Sequence, residues 1–138
     1  MRISTDPAEL DLDWLGPALS ERAYWALGRS QETIEESIRG SLCYGAYFDD
    51  PPGASRQVGF ARVVTDLATF GWVCDVFVDE HARGGGVGQA LIAAIVADQR
   101  LASCRLVLAT RDAGGLYERF GFEPLRAPER WMERPRQR

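Results

Sequence analysis

A glycine-rich turn offers the clearest chemistry in the sequence. It reads Arg83-Gly84-Gly85-Gly86-Val87-Gly88 and lies between a strand-like and a helix-like segment. Glycines allow a ligand to touch the backbone, and the first N–H groups of a helix have no partner within it. Because the helix dipole also favours an anion there, the pattern predicts a phosphate-binding turn, with Arg83 adding a charged contact.

Other interpretations of this turn differ in strength. A flexible turn without a ligand stays open, because a glycine run alone is a weak signal. An ATP-binding loop is disfavoured, since it needs Gly-Lys-Ser/Thr and the chain contains no lysine. A dinucleotide fold is disfavoured too, since its glycine turn follows the first strand, whereas this turn lies past the middle of the chain.

Asp75 interrupts an otherwise apolar segment, Val73-Cys74-Asp75-Val76-Phe77-Val78. Its position predicts a carboxylate that is at least partly buried. Burial raises the pKa of a carboxylate and would suit Asp75 to accept a proton, directly or through water. The alternative is a structural acid, paired with Arg62 on the neighbouring strand or with backbone amides.

The elements around these residues form one sheet with helices. Apolar spacing predicts two helices, three antiparallel strands and then a helix, a strand and a short helix. The predicted helices cover residues 9–27, with a split or bend at Gly16-Pro17, and residues 31–41, 88–99 and 113–119. The predicted strands cover residues 42–48, 57–64, 70–78, 105–110, 122–125 and 131–133. This order predicts an α/β (α+β) fold with a mixed, mostly antiparallel sheet.

Composition and charge limit the classes of partner. The 138 residues, 46% hydrophobic and 26% charged, predict a single domain over residues 1–138. The net charge of −4 disfavours nucleic acid and would suit a cationic amine. No apolar run approaches the roughly 18 residues of a membrane span, and the acidic N-terminus does not resemble a signal peptide, so we expect a cytoplasmic protein without a membrane partner.

The cysteines and the histidine predict no metal site. Cys43, Cys74 and Cys104 are far apart and form no C-x-x-C pair, and His81 has no nearby partner. Each cysteine lies in an apolar stretch and is interpreted as a small buried hydrophobic residue.

Two motifs in succession resemble a known family. The first is the turn from Arg83 to Gly88, and the second reads Ala113-Gly114-Gly115-Leu116-Tyr117-Glu118-Arg119-Phe120-Gly121-Phe122. With one strand between them, they resemble the GNAT superfamily of acyl-CoA-dependent N-acyltransferases. The resemblance implies a central parallel strand pair that splays apart, flanked by about four helices. Thr110 stands where many relatives have Asn, so contacts of that Asn are not carried over.

The resemblance also implies an activity and its residues. The chain would transfer an acetyl group from acetyl-CoA to the primary amine of a small molecule, without a metal. Tyr117 would protonate the leaving thiolate, and the alternative is a tyrosine that packs in the core. A backbone N–H at the splayed end of strand 70–78 would bind the oxyanion. The residues expected to hold acetyl-CoA are Phe77, Val78, Arg83, Gly84, Gly85, Gly86, Val87, Gly88 and Gln89.

The acceptor pocket is expected between the first two helices and the early strands. Tyr24, Trp25 and Arg29 are the candidates to bind the acceptor, and core packing of an amphipathic helix is an equal alternative. Other functions stay open: a non-catalytic acyl-CoA sensor, acetylation of a protein or peptide amine, or a different acyl donor. Because relatives often dimerise, a homodimer is also an expectation.

Overall fold

The computed structural model describes residues 1–137, which form one five-stranded sheet between two groups of helices. The strands are β1 (Arg2–Ser4), β2 (Leu42–Phe48), β3 (Arg56–Thr65), β4 (Phe70–Val78) and β5 (Arg105–Val107), and the helices are α1 (Leu12–Pro17), α2 (Gln31–Arg39), α3 (Val87–Ala97) and α4 (Gly114–Glu118). The strand order is β1-β2-β3-β4-β5. All neighbours are antiparallel except β4 and β5, which are parallel. The predicted α/β class is confirmed.

Two apolar clusters cover the two faces of the sheet. One packs α3 and α4 on the sheet and contains Val63, Leu91 and Ile95. The other packs α1 and the segment after it, together with Ile34 of α2, against Phe60 and Phe77. The glycine turn begins α3, so it lies at the end of β4 and beside α4.

The first predicted helix is wrong in its length. The α-helix ends at Pro17 and continues as a π-helical turn over Ala18–Arg22. The change falls at Pro17, where a split or bend is predicted, because proline has no N–H and disturbs the helical hydrogen bonds around it. Residues 23–30 therefore form a non-helical connection, which carries Tyr24, Trp25 and Arg29.

Three predicted strand assignments are also wrong. Residues 122–125 and 131–133 form no strand, and Pro124 explains part of this for the first segment because proline cannot donate to a ladder. As a result, the parallel pair β4–β5 lies at the edge of the sheet as described over residues 1–137, instead of at its centre. Strand β5 ends at Val107 rather than at residue 110.

A bulge in β4 separates it from β5. The register with β3 shifts between Phe60 and Arg62, so two residues of β4 oppose one of β3, and Asp75 has a φ of 51°. Bulges bend the strand that carries them. The ladder between β4 and β5 covers Phe70 to Trp72 and stops before this bulge, which leaves the predicted splay.

Candidate active site

The glycine turn presents a row of free backbone donors. Gly84 and Gly86 have φ of 84° and 81°, a region that residues with a Cβ rarely adopt, and Gly86 is the N-cap of α3. Within residues 1–137, the N–H groups from 83 to 89 make no hydrogen bond. They border a cleft of about 260 Å³ whose lining includes Arg83, Val87 and Gln89. This donor set fits a pyrophosphate.

Arg83 folds back over the strand that precedes the turn. Its Nε donates to the Val78 carbonyl at 3.2 Å. The guanidinium lies 5.8 Å from the centre of the Phe77 ring. The remaining guanidinium donors are exposed beside the amide row, so Arg83 can bind the same anion.

The splay leaves the far half of β4 without a partner on its β5 side. Pairing with β5 covers Phe70, Gly71 and Trp72, and within the described chain no strand pairs with the later residues on that side. The backbone at Phe77 and Val78 is thus bonded to β3 on one side and available to an extended ligand on the other.

Tyr117 lies in α4 and is buried, with 9% of its surface exposed. Its ring packs edge-on against Phe122 at 5.7 Å. The ring belongs to the apolar core, and within residues 1–137 the hydroxyl makes no hydrogen bond to another protein group. Burial, and then the neighbouring Tyr24, raise the pKa of Tyr117, so the phenol holds its proton at neutral pH.

Local contacts hold α4 beside the glycine turn. The Thr110 hydroxyl accepts from the Ala113 N–H at 3.0 Å and fixes the start of the helix. Leu116 borders the same small cleft as the glycine turn. Thr110 therefore has a structural role in place of the family's Asn. Tyr117 also borders a larger cleft, of about 1090 Å³, between β5 and residues 122–131.

Asp75 is almost fully buried, and both of its oxygens are occupied. Trp25 Nε1 donates to Oδ1 at 2.8 Å. Arg29 Nη1 and Arg62 Nε donate to Oδ2 at 2.8 and 2.9 Å. Burial alone would raise the pKa of Asp75, but the charges and hydrogen bonds of Arg62 and Arg29 outweigh it and lower the pKa. The expected raised pKa is wrong, and the Arg62 pairing, held open as the alternative, is present.

The three predicted acceptor residues are linked to one another by direct contact or through Asp75. Tyr24 and Trp25 are 45% and 40% exposed, and their rings pack edge-on at 5.0 Å. Arg29 is connected to this pair through its ion pair with Asp75. Tyr24 lies close enough to Tyr117 to raise its pKa, so the acceptor residues and the predicted acid lie in one region.

The sequence analysis did not identify two residues of this region. The Arg111 guanidinium lies 3.8 Å from the centre of the Tyr24 ring, and so joins the loop after β5 to the segment after α1. Trp14 Nε1 donates to Asp79 Oδ2 at 3.3 Å, and the other oxygen of Asp79 accepts from the His81 N–H. These bonds fix the turn that leads into the glycines. Neither residue belongs to a local motif that would have revealed it.

No helix within residues 1–137 has the length and apolar character needed to cross a membrane.

Known proteins are similar to this chain in sequence and in fold. The family model of the acetyltransferase (GNAT) domain matches residues 39–124. A crystal structure from Xanthomonas campestris pv. campestris, named as an acetyltransferase of the GNAT family, is 41% identical, with 97% of this chain and 92% of that chain covered and a TM-score of 0.90.

More distant relatives match in sequence or in fold. A Gibberella zeae protein named as an acetyltransferase is 32% identical over 65% of this chain, and the match spans 59% of that protein's length. The Mycobacterium tuberculosis protein Rv2747, solved in complex with CoA, is 19% identical, with 93% of this chain and 78% of that chain covered and a TM-score of 0.69. The family match, together with the glycine turn at the start of α3, shows that this chain belongs to the GNAT family of acetyltransferases.

Proposed function

We propose that this chain transfers the acetyl group of acetyl-CoA to a primary amine of a small molecule. The observation that carries the proposal is the row of unbonded N–H groups from 83 to 89, next to a strand whose outer edge is free. The family and the fold shared with a CoA-bound protein support acetyl-CoA as the donor.

The amide row would hold the pyrophosphate, and the free edge of β4 would hold the extended arm. Phe77 and Val78 supply backbone groups for that arm, because β5 has already diverged from them. In this proposal the thioester lies in the gap between the strands, near Tyr117 of α4. Binding of both substrates in this gap supplies proximity, a large part of the catalysis of such a transfer.

The reaction forms a C–N bond and breaks a C–S bond. The neutral amine attacks the thioester carbonyl carbon, and a free N–H of β4 beyond Trp72 stabilises the negative oxygen. When the C–S bond breaks, the Tyr117 hydroxyl gives its proton to the leaving thiolate. The raised pKa of Tyr117 keeps that proton in place until this step.

Water, and not Asp75, accepts the proton that the amine loses. Both Asp75 oxygens are bonded, and its lowered pKa makes the carboxylate a poor base. In this proposal Asp75 is a positioning residue that orders Trp25 and Arg29.

Calorimetric unfolding with and without acetyl-CoA, followed by thiol release with a panel of amines, tests the proposal. A ligand at 100 times its Kd stabilises by about 2.7 kcal/mol, which raises the Tm by several degrees. We expect such a shift and thiol release that depends on the amine. A shift without turnover on any amine would instead support a sensor of acyl-CoA. A folded protein with no shift would contradict the proposal.

A further inference from the structure

The buried charges beside the acceptor residues do not balance. Asp75, whose side chain is 1% exposed, faces two guanidiniums, those of Arg29 and Arg62, which are 14% and 13% exposed. Two cations against one anion leave a net positive charge in a largely buried place. An uncompensated charge at such a site is costly unless a further anion neutralises it.

The guanidiniums also retain free donors. Arg29 and Arg62 meet the same oxygen of Asp75, and Arg62 makes one more bond, to the Ser41 hydroxyl at 3.0 Å. In the described part of the chain, Arg29 donates through Nη1 alone. A guanidinium has five N–H donors in a planar fork that matches a carboxylate or a phosphate.

A third guanidinium stands at the rim of the same region. Arg111 lies over the Tyr24 ring, and Tyr24 contacts Trp25, which in turn bonds Asp75. Over residues 1–137 Arg111 forms no ion pair, although Asp112 is its neighbour in the chain. Three guanidiniums and one carboxylate are thus linked to the aromatic pair, Arg111 by direct contact and the other two through Asp75.

We propose that the acceptor carries an anionic group, a carboxylate or a phosphate, near its amine, and that Arg29 and Arg111 bind this group. The inference rests on the proposed function, since it concerns the second substrate of the same site. It refines the expectation of a cationic amine from the net charge, because the cluster of Asp75 with Arg29 and Arg62 carries a positive charge while the chain as a whole is negative. The aromatic rings would then contact the carbon skeleton between the two charged ends.

Matched pairs of amines test the proposal. Thiol release from acetyl-CoA is measured with amino acids against their carboxamides, and with phosphoethanolamine against ethanolamine. We expect kcat/KM, expressed per concentration of neutral amine, to be at least about tenfold higher for the anionic member of a pair, the loss typical of one missing charged hydrogen bond. Comparison of the amino acid pair with the phosphoethanolamine pair shows whether the site prefers a carboxylate or a phosphate. Equal or better turnover of the neutral members would overturn the proposal while leaving the amine acetyltransferase intact.

The variant Arg29→Gln should remove most of this preference. Its kcat/KM should fall for both kinds of acceptor, and about tenfold or more further for the anionic acceptors than for the neutral ones. Arg39→Gln, which removes the same charge from the exposed end of α2, is the matched control. Because Arg29 is partly buried and its loss could unfold the protein, the exposed Arg111→Gln is the second variant, with the same direction of effect. Equal losses for both members of each pair in Arg111→Gln would overturn the proposal.

A binding measurement separates this inference from failure of the reaction. Isothermal titration of the CoA-loaded protein with N-acetyl amino acids and N-acetyl amino acid amides requires no turnover. Tighter binding of the acids, abolished in Arg111→Gln, would support the anion site even if no amine is acetylated. Binding of neither compound, or of both equally, would overturn it.

Discussion

Trp25 Nε1 donates to Asp75 Oδ1 at 2.8 Å and so links the non-helical connection after α1 to the bulge of β4. The bulge is where the strand bends away from β5, and the connection carries the exposed aromatic pair. One buried carboxylate therefore fixes both the shape of the gap and the residues that face it.

Asp75→Asn should destabilise the protein, because it leaves two guanidiniums without their anion. Removing one member of a buried pair costs about 3–5 kcal/mol. The pKa of Asp75 is lower in the folded state, so its contribution is complete above the unfolded pKa of about 4 and is lost as the pH falls through the folded pKa. Urea unfolding at several pH values measures this, with the exposed Asp13→Asn as control. A difference from the wild type that does not shrink in acid would contradict this account.

The same variant separates a positioning role from a base. If Asp75 orders Trp25 and Arg29, Asp75→Asn should raise KM for the acceptor more than it lowers kcat, and the shape of the pH profile of kcat should not change. Steady-state kinetics between pH 6 and about 10, on protein shown to be folded, distinguish a positioning role of Asp75 from that of a base. Loss of an acidic limb from the kcat profile would identify Asp75 as the base instead.

Tyr117→Phe should lower kcat by about 10²–10⁴-fold, the usual contribution of general acid catalysis, with the Kd of acetyl-CoA little changed. Tyr47 offers a matched control. Within residues 1–137 its buried hydroxyl has no hydrogen-bond partner, so Tyr47→Phe should preserve activity and leave stability equal or higher. A Tyr117→Phe enzyme with wild-type turnover would remove Tyr117 from the mechanism.

The pH dependence of kcat provides a second test of Tyr117. Burial raises its pKa above the reference value of about 10, so the acid form persists at higher pH. The alkaline fall of kcat should then begin above about pH 10 in the wild type and be absent in Tyr117→Phe. A fall assigned to Tyr117 near neutral pH would mean that its environment stabilises the phenolate.

Gly86→Ala should weaken acetyl-CoA binding about tenfold or more, because Gly86 has a φ of 81° and presents the first amides of α3. Gly53→Ala is a matched control. Gly53 has a φ of 84° in a distant turn, and in both positions an added Cβ would meet open space. Both variants should lose similar stability, of about 1 kcal/mol. Equal Kd values for acetyl-CoA in the two variants would contradict the role of the turn.

The elements that depend on residues close together in the chain could be predicted from the sequence. The bounds of strand Phe70–Val78 match because it is a long apolar segment between turn residues, and the glycine turn is a local pattern. Strand β1 was missed because three residues carry no periodicity. The sequence motif also located Tyr117, although no pattern could show that its hydroxyl is free.

What depends on distant contacts could not be predicted. The pKa of Asp75 has the opposite direction from the expected one because Arg29 approaches from 46 positions earlier in the chain. Arg111 has no motif of its own and acquires its place through the Tyr24 ring. The prediction of the C-terminal strands was wrong in part because an apolar pattern does not show whether a proline removes a backbone N–H that strand pairing needs.

The most direct test of the central claim is to identify the product when the protein, acetyl-CoA carrying a ¹³C-labelled acetyl group and an amine react together. Mass spectrometry should find the label in an amide of the amine, in an amount equal to the thiol released, and Tyr117→Phe should slow both equally. Acetyl-CoA bound at the glycine turn while no amine gains the label would contradict the account.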